Sequence, residues 1–179
     1  EEEAFGGMYE RGGLLASEDG SIAVFAGATF GGGSTINWSC SLPTPGYVRD
    51  EWSQEHGLTK FSSPEYDASL DHVMGRISVQ TDAVEHNRCN QLLLDGCKRL
   101  GYDAHTAGQN LRRTDAASGA HFICIGDKYG NKQSTPVTFF EDAAQAGARF
   151  VDNCRVERVT QEGGVATGVE ATVEVASGS

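Results

Sequence analysis

At 179 residues, with 39% hydrophobic and 22% charged residues, the chain has the size and composition of one ordinary globular domain and not of a disordered segment. Its 14 basic residues against 25 acidic ones leave a net charge of −11, which repels nucleic-acid phosphates and anionic membrane surfaces, so no nucleic-acid partner is expected. No apolar run reaches the ~18 residues of a membrane-spanning helix, so these residues carry no anchor.

The elements follow in chain order. After the turn signal Asp19-Gly20, residues 21–26 predict a short strand. Residues 27–38 come next, and their glycines rule out regular structure in the first half of that tract. Residues 47–56 predict a helix with Val48 and Trp52 on one side, stopped at Gly57. Ser63-Pro64-Glu65 combines an N-cap, a proline at the first helical position and an acid in the first turn, which predicts a helix to about Arg76. Asp82 opens a longer predicted helix to Leu100, with Cys89, Leu92, Leu93, Cys97 and Leu100 on one apolar face and Gly101 as its stop. Residues 102–133 have no clear period apart from a strand-like run at 122–125. Ser134-Thr135-Pro136 then starts a predicted helix to about 147, with Val137, Phe140, Ala144 and Ala148 facing one side. Residues 150–151, 155–160 and 165–175 predict strands, the last two joined by a hairpin turn at Glu162-Gly163-Gly164. The architecture expected from these elements is mixed α/β.

The five cysteines are scattered, with no Cys-x-x-Cys pair and no zinc-ligand spacing, and read as free thiols of a reducing compartment. The five histidines are equally dispersed, and no metal site is expected. The chain begins at Glu1 rather than Met and ends just after a predicted strand, which suggests one section of a longer protein.

One tract carries chemistry. Gly31, Gly32 and Gly33 follow a strand, and consecutive glycines let backbone N–H groups approach an anion closely, as a phosphate nest requires. Ser34 and Thr35 can add hydroxyl donors. Taken alone, the tract reads as readily as a ligand-free loop, because no lysine follows in the P-loop position and no G-x-G-x-x-G register occurs.

The segment Phe30-Gly31-Gly32-Gly33-Ser34-Thr35-Ile36-Asn37-Trp38 closely resembles the first signature of the glucose-methanol-choline (GMC) oxidoreductases, whose usual form is Leu-Gly-Gly-Ser-Ser-x-x-Asn. This variant is similar to the long-chain fatty alcohol oxidase branch. His86-Asn87-Arg88, the tract from Gly130 to Thr135, the tract from Asp142 to Arg149 and the tract from Asn153 to Val159 resemble the same branch in the same order, so the likeness runs from about Tyr9 to Ala171.

The resemblance implies an FAD-dependent alcohol oxidase or dehydrogenase. It implies that residues 1–179 are the middle portion of the N-terminal, FAD-binding region, with 102–133 as a substrate-side excursion. The dinucleotide-binding βαβ unit would precede Glu1, and the catalytic histidine region would follow Ser179. Backbone at Gly31 and Gly32 would lie against the FAD diphosphate, Ser34 near the phosphates, and Asn37 close to the flavin. Gly27 and Thr29 would skirt the isoalloxazine ring, and the backbone of Val156 would pair with the adenine. The flavin would be held non-covalently, since residues 25–38 contain no histidine. Substrates of the whole enzyme would be a primary long-chain alcohol and O₂. The branch implies an intracellular, membrane-associated or peroxisomal setting. No catalytic residue is assigned within the chain, which is expected to be inactive alone. Two alternatives stand beside this reading: another GMC branch acting on sugars, choline or aryl alcohols, and a non-catalytic binding domain. Asn37-Trp38-Ser39 also fits a glycosylation pattern, but an asparagine packed on a flavin cannot carry a glycan, and the flavin reading is preferred.

Overall fold

A computed structural model describes residues 2–112 and 122–174. Residues 113–121 of the predicted 102–133 excursion, and residue 175 of the last predicted strand, lie outside the described residues. The chain divides into two compact units, Glu1–Glu141 and Asp142–Ser179.

The first unit opens with helix α1 (Glu2–Met8) and a two-stranded hairpin, β1 (Leu15–Ala16) with β2 (Ala23–Val24). The predicted strand at 21–26 is therefore present but shorter. Its turn is held by Asp19, whose carboxylate accepts hydrogen bonds from the Ser17 hydroxyl at 2.6 Å and the Ser21 amide at 3.1 Å. The glycine tract leads into a single helical turn, α2 (Gly33–Ile36). Helix α3 (Gly46–His56) ends at Gly57, whose φ of 68° is the left-handed conformation that glycine adopts without strain. Helix α4 (Pro64–Arg76) starts where the sequence places it, with the Ser63 side chain accepting from the Tyr66 amide at 3.4 Å. Trp52 of α3, Phe61 and Tyr66 of α4 stack edge to face at 5.0–5.2 Å, and Arg49 pairs with Asp67 at 2.5 Å, which fixes α3 against α4.

Three predicted elements differ. The helix expected from Asp82 begins only at Arg88, as α5 (Arg88–Arg99). Asn87 is the reason: its side chain accepts the Asn90 amide at 2.9 Å and caps the helix there, while Ala83 turns into the core. The apolar face expected on this helix is not buried within the unit, for Leu92, Leu93 and Leu100 are all more than half exposed. Residues 122–125 form a tight turn and not a strand, with the Ile125 amide bonded to the Phe122 carbonyl at 2.9 Å. The carbonyls of Ile123 and Cys124 are engaged by side chains, Lys132 and Tyr9, instead of a neighbouring strand. The helix expected over 136–147 is split into a 3-10 turn (Thr135–Val137) and α6 (Phe139–Gln145). At the break, the Arg76 guanidinium takes the Thr138 carbonyl at 2.8 Å, and the Thr138 hydroxyl donates to Ser134 O at 2.8 Å.

The core of this unit is small. Ala83, Leu111 and Ile123 pack together, with Val84 beside them. Ser39, Asn110, Lys132, Gln133 and Thr138 are buried as well, so among the described residues the interior is as polar as it is apolar. Isolated bridges (Cys40 with Gln109, Gln80 with Gln109, Leu111 with Lys132) tie distant segments together around it.

The second unit is an antiparallel hairpin, β3 (Cys154–Glu162) with β4 (Val165–Val173). Its turn matches the sequence expectation: Gly163 and Gly164 have φ of 57° and 81°, the positive pair that a tight two-residue hairpin demands. Residues 150–151 form no strand, and β3 starts after Asn153, itself at a φ of 47°. The five cysteines are free, and no helix among the described residues is long and apolar enough to cross a membrane.

Candidate functional site

The glycine tract is shaped by its own backbone first. The Gly32 amide bonds to Thr29 O at 2.8 Å, Ser34 to Gly31 O at 3.2 Å, and Asn37 to Gly33 O at 2.9 Å. These successive turns wind the chain into α2. Gly31 and Gly32 take φ of 88° and 54°, and two of the tract's glycines also lack room for a side chain. A Cβ on Gly27 would lie 2.4 Å from the Gly32 carbonyl carbon, and one on Gly31 would lie 2.6 Å from the Pro136 ring. Nothing stands within 4 Å of the Cβ positions of Gly32 and Gly33. The tract thus has a closed side, where Gly27 and Gly31 meet their own fold, and an open side of bare backbone.

A segment about a hundred residues later braces the closed side. The Ser34 hydroxyl lies 2.8 Å from Gly31 O and 2.7 Å from the Thr135 hydroxyl, and the Thr135 amide donates to Ser34 Oγ at 3.1 Å. Ser34, expected as a phosphate-side hydroxyl, is therefore joined to Thr135. At the other end of α2 the last carbonyls have no helical partner. The Lys132 ammonium takes two of them, Thr35 O at 2.8 Å and Asn37 O at 2.6 Å, together with Ile123 O at 2.7 Å. The Tyr9 hydroxyl lies 3.4 Å from Ile36 O and also donates to Cys124 O. Lys132 is 3% exposed. Burial lowers its pKa to about 8, opposed by the nearby Cys124 and Asp127; burial, with Cys124 adding, raises that of Tyr9.

Of the residues singled out from the sequence, Gly27, Thr29, Gly31, Gly32, Ser34 and Asn37 come together in this loop. Thr29 contributes its carbonyl to the first turn. Asn37 is exposed, with its side-chain oxygen accepting the Ser39 amide at 3.1 Å. Val156 belongs to the second unit, where it pairs with Ala171 beside a register shift in β3 and β4. The brace formed by Tyr9, Lys132, Thr135 and Pro136 was not assigned a role from the sequence. Its signal was the Gly130 to Thr135 tract, a polar run ahead of a proline, which says nothing by itself of what it binds.

The profile of the GMC oxidoreductase family matches residues 5–178. The long-chain-alcohol oxidases FAO4A and FAO4B of Arabidopsis thaliana are 40% and 36% identical over 82% and 84% of this chain. An uncharacterized GMC-type oxidoreductase of Sinorhizobium fredii is 26% identical over 98% of the chain and is itself covered over 34% of its length. The chain spans about a fifth of the length of the plant relatives. No solved structure matches it significantly. A glycine signature set in a loop that the rest of the fold braces, within a match running nearly end to end, identifies the chain as a member of the GMC oxidoreductase family.

Proposed function

We propose that the chain is the glycine-loop section of an FAD-dependent alcohol oxidoreductase that oxidises a long-chain primary alcohol to the aldehyde, with O₂ as the final electron acceptor. The observation that carries this reading is the two-sided glycine tract: closed by steric contact at Gly27 and Gly31, open at Gly32 and Gly33. A cradle of that kind fits a diphosphate, because bare backbone permits close approach and any Cβ on the open side would hold the ligand away. The similarity to long-chain-alcohol oxidases favours the fatty alcohol branch over sugar, choline or aryl alcohol branches and over a non-catalytic binding module.

Bound FAD supplies hydride acceptance. The chain's own residues would do the holding. Gly31 and Gly32 present backbone to the diphosphate, with Ser34 keeping their turn closed through Thr135. Gly27 and Thr29 line the approach to the flavin ring, Asn37 offers its exposed amide beside it, and Val156 offers backbone to the adenine. No histidine of this chain is assigned the proton-handling role, which falls to the remainder of the enzyme. The test is the purified complete protein, read for a flavin absorbance band and for aldehyde and hydrogen peroxide from a panel of alcohols of graded length. A yellow protein that produces both from long-chain alcohols is expected. A colourless, folded protein would favour the binding-module reading, and aldehyde without peroxide would assign a dehydrogenase.

A further inference from the structure

Every donor of one buried ammonium is turned onto the glycine tract and its support. Lysine is among the residues least often fully buried, because removing an ammonium from water is costly unless its donors are satisfied. Lys132 is 3% exposed, and its three N–H groups have three partners, Thr35 O, Asn37 O and Ile123 O, at 2.6–2.8 Å. Two of these carbonyls close the C-terminal end of α2, and one of the two belongs to Asn37 itself. The third belongs to the turn at 122–125. The lysine backbone is fixed in its own right: its amide donates to Asp127 at 2.5 Å, and it bridges to Leu111.

From this geometry we infer that Lys132 is a positioning residue for the cofactor cradle, holding α2 in the orientation that presents Asn37 and the open glycine backbone. This rests on the reading of the loop as the flavin-binding cradle. A hydrophobic residue would fill the space of the lysine stem but leave three carbonyls unpartnered. The end of α2 would then turn toward other donors and carry Asn37 with it. Thr135 and Pro136 would still hold the N-terminal side at Ser34 and Gly31, so the loop would pivot instead of unfolding.

The experiment uses the complete enzyme, stripped of flavin and titrated with FAD by fluorescence. Wild type, Lys132→Met, Lys132→Gln and Lys132→Arg are compared, with circular dichroism and the unfolding midpoint recorded for each. Lys132→Met is expected to bind FAD about tenfold more weakly, the effect of a lost charged hydrogen bond, while remaining folded at the temperature of titration. Its flavin absorbance band is expected to shift, since Asn37 beside the ring is displaced. Lys132→Arg, which keeps charge and donors, is expected to recover part of both. If Lys132→Met does not fold, Lys132→Gln, with donors for two of the three carbonyls, carries the same expectation of weaker binding and a shifted band. Unchanged FAD affinity and band position in the folded variants, with wild type binding FAD, would overturn the role of Lys132 and leave the cradle intact. Failure of wild type to bind FAD would overturn the cradle itself, and this role with it.

Discussion

Gly27 and Gly33 belong to the same tract and face opposite demands. Gly27→Ala drives a Cβ onto the Gly32 backbone, which has no flexible end to yield, and is expected to destabilise the chain by about 2–3 kcal/mol. Gly33→Ala meets nothing and sits in a helical turn, so it is expected to be neutral or to gain up to about 1 kcal/mol. Urea unfolding of the two variants checks the contrast, and equal effects would mean the closed and open sides are misassigned. Asn37→Asp keeps the oxygen that accepts from Ser39, so the fold should tolerate it. In the complete enzyme it replaces an amide by a carboxylate beside the diphosphate and is expected to weaken FAD retention by about 1–3 kcal/mol, measured by flavin titration. Lys132 has a pH signature of its own. Its folded pKa of about 8 lies below the ordinary 10.5, so the unfolded chain holds the proton more tightly. Stability from this group is therefore flat below pH 8, rises between 8 and 10.5, and is flat above. The unfolding free energy of wild type relative to Lys132→Met is expected to climb across that window, with Asp127 and Cys124, the titratable groups facing the lysine, common to both proteins.

At the scale of the element, the boundaries follow side chains that satisfy loose backbone groups. The start of α4 was legible because Ser63-Pro64-Glu65 states its cap and first turn in adjacent residues. The start of α5 was placed too early, because the acidic residue at 82 and the apolar periodicity suggested one long helix. Asn87 caps it later, and the stretch between supplies Ala83 to the core instead. Asn87→Ala is expected to cost about 1 kcal/mol by removing the acceptor for the Asn90 amide, measured as a lowered unfolding midpoint. A substitution without effect would mean the helix does not begin there. The turn at 122–125 was misread for a related reason: Phe122 to Ile125 is apolar and β-branched at its centre, but its carbonyls are taken by Lys132 and Tyr9. The β3–β4 hairpin was legible, because two adjacent glycines between alternating runs leave few other conformations.

At the scale of the whole molecule, two units with little buried apolar surface describe a section that completes itself against more protein. Val159, Val165 and Val169 of the hairpin and Leu92, Leu93 and Leu100 of α5 are exposed, which is more apolar surface than a finished domain presents. The proposed enzyme needs a positioned base and the remaining contacts to its cofactor, neither of which is assigned to these residues. Residues 1–179 alone, given saturating FAD and long-chain alcohols, are therefore expected to make no aldehyde or peroxide above a heat-inactivated control. Turnover would place the proton-handling group among His56, His72, His86, His105 and His121.

By itself the sequence determined the family and the glycine loop, because Phe30 to Trp38 is contiguous and its residue types leave few conformations open. It also determined α3, α4 and the hairpin, whose caps and turns lie within a few residues of the elements they bound. Only the tertiary structure decided what holds the loop. Ser34 meets Thr135, Thr35 and Asn37 meet Lys132, and Ile36 meets Tyr9 across long stretches of chain. A lysine looks the same in sequence whether its ammonium is in water or on three carbonyls. Which of the two holds depends on how distant segments converge, and no local pattern carries that information.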